Sequence, residues 1–293
     1  MTTTGPLEKP DAVQVAQYLN ERVAGPVGLD VWTQEESGLV RTDRDSCTHC
    51  GDVVQLGRQL ASLHPALNVT IYDMEKHASR AEEAGVVTAP TMIVRGSGRS
   101  IRLVGLFSGM LFPALLDLIA FVSTVQSPLT DETRVALAAL EDDVEIEAMV
   151  TPFDPYSAYM SRVLGSLAAE SRAIKLQLTE LSEFPILAAQ RSVSEIPLMT
   201  INGRRFSGAW DETPLVEQIQ RVVAGNDEPV VRERVLVAPY LSEERAMQMA
   251  QEQMAQQQQA QQQAQGGGGR PMVPPGSGPL GPGGGSGLIV PGR

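Results

Sequence analysis

The sequence predicts an α/β layered fold in two successive copies, followed by a helical segment and a tail too poor in side chains to build a core. Three observations predict it. From Val27 onward, short stretches with strand character alternate with helical runs, the pattern of a sheet covered by helices. Two strands, beginning near Met92 and Leu198, are each entered through a proline, Pro90 and Pro197. The order of elements between residues 11 and 122 then recurs between residues 130 and 223.

In the first copy, Ala12, Val13, Val15, Ala16, Tyr18, Leu19 and Val23 recur at helical spacing, and Gly25-Pro26 ends the run. Val27 to Thr33 reads as a strand, and the polar stretch from Gln34 to Asp45 as a loop. Cys47 and Cys50 follow, at the head of an amphipathic run through Val53, Val54, Leu56, Leu60 and Leu63. Residues 68–73 (Val69, Ile71, Tyr72) form a second expected strand, and residues 78–84 a short polar helix stopped by Gly85. Pro90 leads into Met92-Ile93-Val94, Gly96-Ser97-Gly98 turns the chain into Ile101 to Val104, and a last helix starts near Met110. The stretch from Met110 to Val122 is too short to span a bilayer and carries Asp117, so it reads as a buried helix.

The second copy opens with a helix over 130–140, capped by Thr130 with Asp131 and Glu132 in its first turn. Residues 144–150 alternate like a strand, and Thr151-Pro152-Phe153-Asp154-Pro155-Tyr156-Ser157 leads into a helix carrying Tyr159, Met160, Val163, Leu164 and Leu167. A strand over 173–179, the proline-led strand over 194–201, the Asn202-Gly203 hairpin turn and a helix over 213–223 complete it. The expected boundaries are 1–125 for the first domain, 126–240 for the second, 241–265 for a Gln- and Met-rich helical spacer, and 266–293 for a disordered Gly/Pro tail.

With 293 residues and 42% hydrophobic content, the chain can bury a core in each copy. A net charge of −12 argues against nucleic acid or an anionic membrane as partner. The opening Met1-Thr2-Thr3-Thr4-Gly5-Pro6 has no basic flank with an apolar core behind it, so a cytoplasmic protein is expected.

The chemistry concentrates in Ser46-Cys47-Thr48-His49-Cys50-Gly51, which holds both cysteines of the chain. A helix start presents unpaired N–H groups and the positive end of the helix dipole, which stabilise a thiolate. The spacing lets the pair close a ring, so that Cys47 attacks a partner's disulfide and Cys50 releases it. Two other readings stand beside this one. A zinc half-site would need further ligands, of which only His49, His64 and His77 are on offer among the imidazoles. A purely structural disulfide would close so short a loop that it gains little stability. His49 is either a polar helix-start residue or, if protonated beside the sulfurs, a group that lowers the thiolate pKa and makes the disulfide more oxidising.

The order Cys47-Thr48-His49-Cys50, then Thr88-Ala89-Pro90, then Gly105-Leu106-Phe107-Ser108-Gly109 resembles the thioredoxin and glutaredoxin fold. The resemblance implies that Pro90 is cis and lies against the CxxC, with Thr48, Ala89 and Pro90 shaping a groove for an extended substrate. The tandem arrangement resembles the protein disulfide oxidoreductases of archaea and some bacteria over roughly residues 11–225. In that family the second half usually carries Thr-Pro-x-Cys-Pro-Tyr-Cys; here Asp154 and Ser157 stand at the two cysteine positions, which implies a second site without exchange chemistry. The N-terminal part of the flavoprotein that reduces the bacterial alkyl-hydroperoxide peroxiredoxin is a related arrangement, with its surviving CxxC in the second half. In the present chain no Gly-rich dinucleotide fingerprint follows a strand, so no cofactor is expected and electrons come from a separate protein.

Beyond Gly225, residues 230–237 offer a short apolar piece that could add an edge strand or lie against the second domain. Ser242 is placed to cap a helical run in which Met247, Met249 and Met254 could seat on a partner, although composition favours a solvated spacer. The end, Gly287-Leu288-Ile289-Val290-Pro291-Gly292-Arg293, is similar to the cargo-loading peptides of encapsulin nanocompartments; an ordinary frayed terminus is the alternative. The expected function is thiol–disulfide exchange with protein substrates, Cys47 attacking, Cys50 resolving and His49 tuning, with Leu288, Ile289 and Val290 docking on an encapsulin shell. A redox-sensing adaptor, or the reductant of a peroxiredoxin, is the alternative.

Overall fold

The computed structural model describes residues 6–34, 47–232 and 236–266. The chain divides into two units, residues 1–246 and 247–293. The first unit is built on one eight-stranded mixed sheet. Strands β1 (Val27–Thr33), β2 (Leu67–Asp73), β3 (Thr91–Gly96) and β4 (Arg99–Val104) make up the first half of it. The second half uses β5 (Val144–Val150), β6 (Ile174–Glu180), β8 (Leu198–Ile201) and β9 (Arg204–Ser207), with β7 (Glu195–Ile196) lying outside the sheet. The spatial order β2-β1-β3-β4-β6-β5-β8-β9 repeats one four-strand pattern twice, and β4 joins β6 in parallel from Ile101 opposite Leu176 to Val104 opposite Thr179. The expected α/β class with flanking helices is therefore observed.

Helices α1 (Lys9–Arg22), α2 (Cys50–Leu63), α3 (Ala78–Glu83) and α4 (Leu111–Thr124) belong to the first half; α5 (Asp131–Ala138), α6 (Pro155–Glu170), α7 (Pro185–Gln190) and α8 (Glu212–Val223) take the matching places in the second. The pleat sorts β1 between two faces. Val27, Leu29 and Val31 enter the main core with Leu56, Leu60, Leu115 and Leu118, while Trp32 sits in a separate cluster with Tyr72, Ala81 and Val86. On that second face, between α3 and α7, the sheet lines an open cleft of about 1130 Å³ crossed by the ion pairs Asp30–Arg95 and Glu147–Arg191. Neither cysteine lines it.

The two halves meet where α4 packs on α6. Leu118 of α4 stands against Gly165 of α6, and Leu115, Leu118 and Ile119 are almost wholly buried, each contributing about 1.5–3 kcal/mol by removal from water. A Cβ on Gly165 of α6 would stand 1.8 Å from Leu118 Cδ2, so this approach requires glycine. Asp117, the one charge in the apolar α4, accepts a 2.6 Å hydrogen bond from Arg162 Nε and another from the Tyr18 hydroxyl. Burial, and then that bond, raise the Tyr18 hydroxyl to a pKa of about 12. The sequence pattern assigns no helix between residues 180 and 194; α7 is there, only six residues long and opened by Pro185. Among the described residues no helix is long and apolar enough to cross a membrane.

After α8 the chain returns along the second half. The Ala209 N–H donates to the Leu236 carbonyl at 2.9 Å, and β10 (Ala238–Pro239) pairs antiparallel with β7. Of the apolar piece over 230–237, Val230 and Val231 lie against the core and Leu236 makes an isolated bridge to Ala209, so among its described residues none adds a strand to the main sheet. Ser242 caps α9 (Glu243–Gly266), its hydroxyl accepting the Arg245 N–H at 3.3 Å. In the second unit, Met247, Met249 and Met254 are exposed on this helix.

Candidate functional site

Cys47 and Cys50 form a disulfide with their Cα atoms 5.5 Å apart. Cys50 opens α2 and is buried, whereas Cys47 is half-buried and Thr48 exposed. The Gln34 N–H, just past the end of β1, donates to Cys50 Sγ at 3.3 Å. The inner sulfur is thus held by backbone just past the neighbouring strand, while the residue that carries the outer one is only half-buried.

The prolines enter from the adjacent strand. The Ala89–Pro90 peptide is cis, and both residues are buried. Thr91 pairs with Trp32 at the end of β1, so Pro90 and Gln34 lie at the same end of the sheet. The Pro90 carbonyl accepts the Gly105 N–H at 2.9 Å, and the Thr91 hydroxyl donates to the Thr88 carbonyl at 2.6 Å. Gly105 has φ +92, and a Cβ there would meet Glu180 Cβ at 2.9 Å, so glycine is required on both counts.

His49 is the N-cap residue of α2, yet its side chain caps nothing. Its Nδ1 lies 2.9 Å from Asp52 Oδ2, and its Nε2 lies 3.0 Å from both carboxylate oxygens of Glu243. Burial works against charging the ring, but the hydrogen bonds to Asp52 and Glu243 and the charge of Glu183 outweigh it and raise the pKa to about 9. Glu183 in turn accepts the Leu106 N–H. Its neighbour Glu180, at the end of β6, accepts the N–H groups of Ser182 at 3.0 Å and Glu183 at 3.2 Å. Burial pushes the carboxyl pKa values of both Glu180 and Glu183 upward, so this close pair holds protons more tightly than ordinary carboxylates.

The residues picked from sequence as Cys47, Thr48, His49, Cys50, Ala89 and Pro90 therefore gather at one end of the first half's sheet. Leu288, Ile289 and Val290 lie outside the described residues. Sequence reasoning missed Asp52, Glu180, Glu183 and Glu243; two glutamates three residues apart, interleaved with Leu178, Leu181 and Phe184, were the available signal for two of them. His64 Nδ1 accepts the Ala66 N–H and His77 packs edge-on against Tyr72, and among the described residues no group of three metal-ligating side chains comes together.

The matching place in the second half has the same frame with other atoms. Asp154 caps α6, its Oδ1 accepting the Ser157 N–H at 2.9 Å and its Oδ2 the Ser157 hydroxyl at 2.7 Å. Ser157 Oγ accepts the Thr151 N–H at 3.0 Å. Ile196–Pro197 is cis, and the Pro197 carbonyl accepts the Gly208 N–H at 2.7 Å, as that of Pro90 accepts Gly105.

No protein-family model and no curated protein matches the chain by sequence. Among solved structures, a protein disulfide oxidoreductase from Aeropyrum pernix K1 is similar at 26% identity and TM-score 0.65, over 75% of this chain and 94% of that one. The fold is thioredoxin-like, and the Cys47–Cys50 pair it carries supports thiol–disulfide oxidoreductase activity. The fold is also similar to that of the alkylhydroperoxide reductase AhpF from Enterococcus faecalis, at 16% identity and TM-score 0.63, over 73% of this chain and 99% of that one.

Proposed function

We propose that the chain exchanges disulfides with protein substrates through the Cys47/Cys50 couple, and that the second half, with Asp154 and Ser157 at its helix start, no longer carries out exchange. The observation that carries this reading is the asymmetry of the pair, Cys47 half-buried at the rim and Cys50 buried against the Gln34 N–H. In the reducing direction the Cys47 thiolate attacks a substrate disulfide, forming a mixed disulfide and expelling one substrate thiolate. Cys50 then attacks the Cys47 sulfur, expelling the second substrate thiolate and closing the Cys47–Cys50 bond. Two electrons have passed to the substrate, and a separate dithiol protein restores the pair; the oxidising direction is the reverse. Thr48 on the exposed tip and the backbone at Ala89–Pro90 flank the incoming chain, and His49 tunes the couple.

In this reading the enzyme works in the cytoplasm, and Leu288, Ile289 and Val290 dock it to an encapsulin-type shell. Support for the docking is the apolar triplet at the end of a Gly/Pro-rich tail. Cys50→Ala should accumulate mixed disulfides through Cys47, whereas Cys47→Ala should trap few, read by non-reducing electrophoresis of thiol-quenched extracts. Equal trapping by the two variants would overturn the assignment of roles. A reduction potential of about −270 mV would mark a reductase and one of about −120 mV an oxidase.

A further inference from the structure

The segment that follows the second half returns to the site of the first. Residues 236–242 are fastened to the second half by the Leu236 carbonyl, by the pairing of β10 with β7, by the Tyr240 N–H to the Ser194 carbonyl at 2.9 Å and by the Tyr240 hydroxyl to the Leu181 carbonyl at 3.3 Å. This run ends at the Ser242 cap and delivers Glu243, the first residue of α9, to His49. The His49 side chain is 17% exposed and that of Glu243 32% exposed, so the contact is partly shielded from water.

The geometry decides the protonation of the ring. A neutral imidazole has one N–H and one lone pair. With carboxylate oxygens 2.9 Å from Nδ1 and 3.0 Å from Nε2, a neutral ring would aim its lone pair at an anion. Only the imidazolium donates in both directions. The charged groups that act most strongly on His49 are carboxyls: Asp52 from its own helix, Glu243 from α9, and Glu183 from the 3-10 turn after β6.

We infer that Glu243 is a positioning residue for the Cys47/Cys50 couple: it pins the imidazolium form of His49 between the two cysteines, and so sets the upper pH limit to which that cation persists beside the thiolate. This rests on the reading that Cys47 is the attacking thiolate. Asp52 alone would hold one nitrogen; the second carboxylate, brought from 194 residues away, closes the clamp on the other. The alkaline edge of the site's pH profile then belongs to a segment outside both sheet halves.

Glu243→Gln keeps the size of the side chain and its carbonyl acceptor but removes the charge. The His49 pKa, followed by NMR on the oxidised protein, should fall from about 9 by about one unit or more. In the reduced protein, the inflection that His49 imposes on the pH profile of Cys47 alkylation should move down with it. Asp52→Asn should act in the same direction from the other nitrogen. An unchanged His49 pKa in Glu243→Gln would overturn the inference. So would a lowered His49 pKa with an unmoved alkylation profile, since the contact would then serve structure alone. A wild-type protein that exchanges no disulfide would sink the oxidoreductase reading instead, while the NMR titration would still report on the clamp.

Discussion

Replacing Asp154 with Ala tests what the second half contributes. Asp154 is 6% exposed and Ser157 0%, so their hydrogen bonds are not exchanged freely with water. Loss of the N-cap at the Ser157 N–H costs roughly 1 kcal/mol. Loss of Oδ2 also strips the buried Ser157 hydroxyl of its acceptor, and an orphaned buried donor costs about 1–3 kcal/mol. Together these give about 2–4 kcal/mol, or a fall in melting temperature of roughly 5–15 °C for a unit of this size. Asp154→Asn keeps an oxygen for the cap and should lose distinctly less. The assays are thermal or denaturant unfolding and turnover of a small disulfide substrate at a temperature where every variant is folded. Stability should fall while turnover through Cys47 and Cys50 stays at the wild-type level. A large loss of turnover in a folded Asp154→Ala protein would refute the view that this half does no exchange chemistry, and a stability change under about 0.5 kcal/mol would refute the hydrogen-bond accounting.

The raised pKa of His49 also predicts the pH dependence of stability. The folded state holds this proton more tightly than the unfolded chain, so the contribution is complete below the ordinary value of 6.5 and disappears as pH rises through about 9. Glu180 and Glu183, also shifted upward, add stability that is lost as pH rises above the ordinary carboxylate range. Denaturant midpoints of the oxidised protein should therefore drop between pH 6.5 and 9, and His49→Gln should flatten that decline; equal slopes would refute the assignment. Deleting residues 286–293 should leave dithiol exchange intact and abolish association with a large shell, read by size exclusion of native extract. If the truncated protein keeps that association, Leu288, Ile289 and Val290 are not its anchor.

What could be read from the sequence is what local spacing encodes. The Cys47/Cys50 pair at a helix start, the proline-led strands and the Asp154 cap all lie within a few residues of their partners, and the strand and helix periods around them are clear. The carboxyls of the site are not local. Glu183 reaches the Leu106 N–H across 77 residues and Glu243 reaches His49 across 194, so no window of the sequence shows either contact. Helix α7 is too short to complete two turns of apolar pattern, and it is stabilised by the packing of Ala188 with Phe184 and Ile196 rather than by its own periodicity.

The second half carries no cysteine, yet it cannot be discarded, because the first half is not a closed body without it. Removing it would strip the parallel partner from the β4 backbone between Ile101 and Val104 and uncover Leu118 on α4. It would also remove Glu183, which receives the Leu106 N–H two residues past the end of β4, next to Gly105, the donor to Pro90. The two halves therefore divide unlike tasks. The first supplies sulfur, and the second supplies the sheet edge, the helix face and the buried carboxyl that hold the sulfur's surroundings in place. The segment from Leu236 to Glu243, anchored on the second half and ending at His49, extends that division to the charge beside the cysteines.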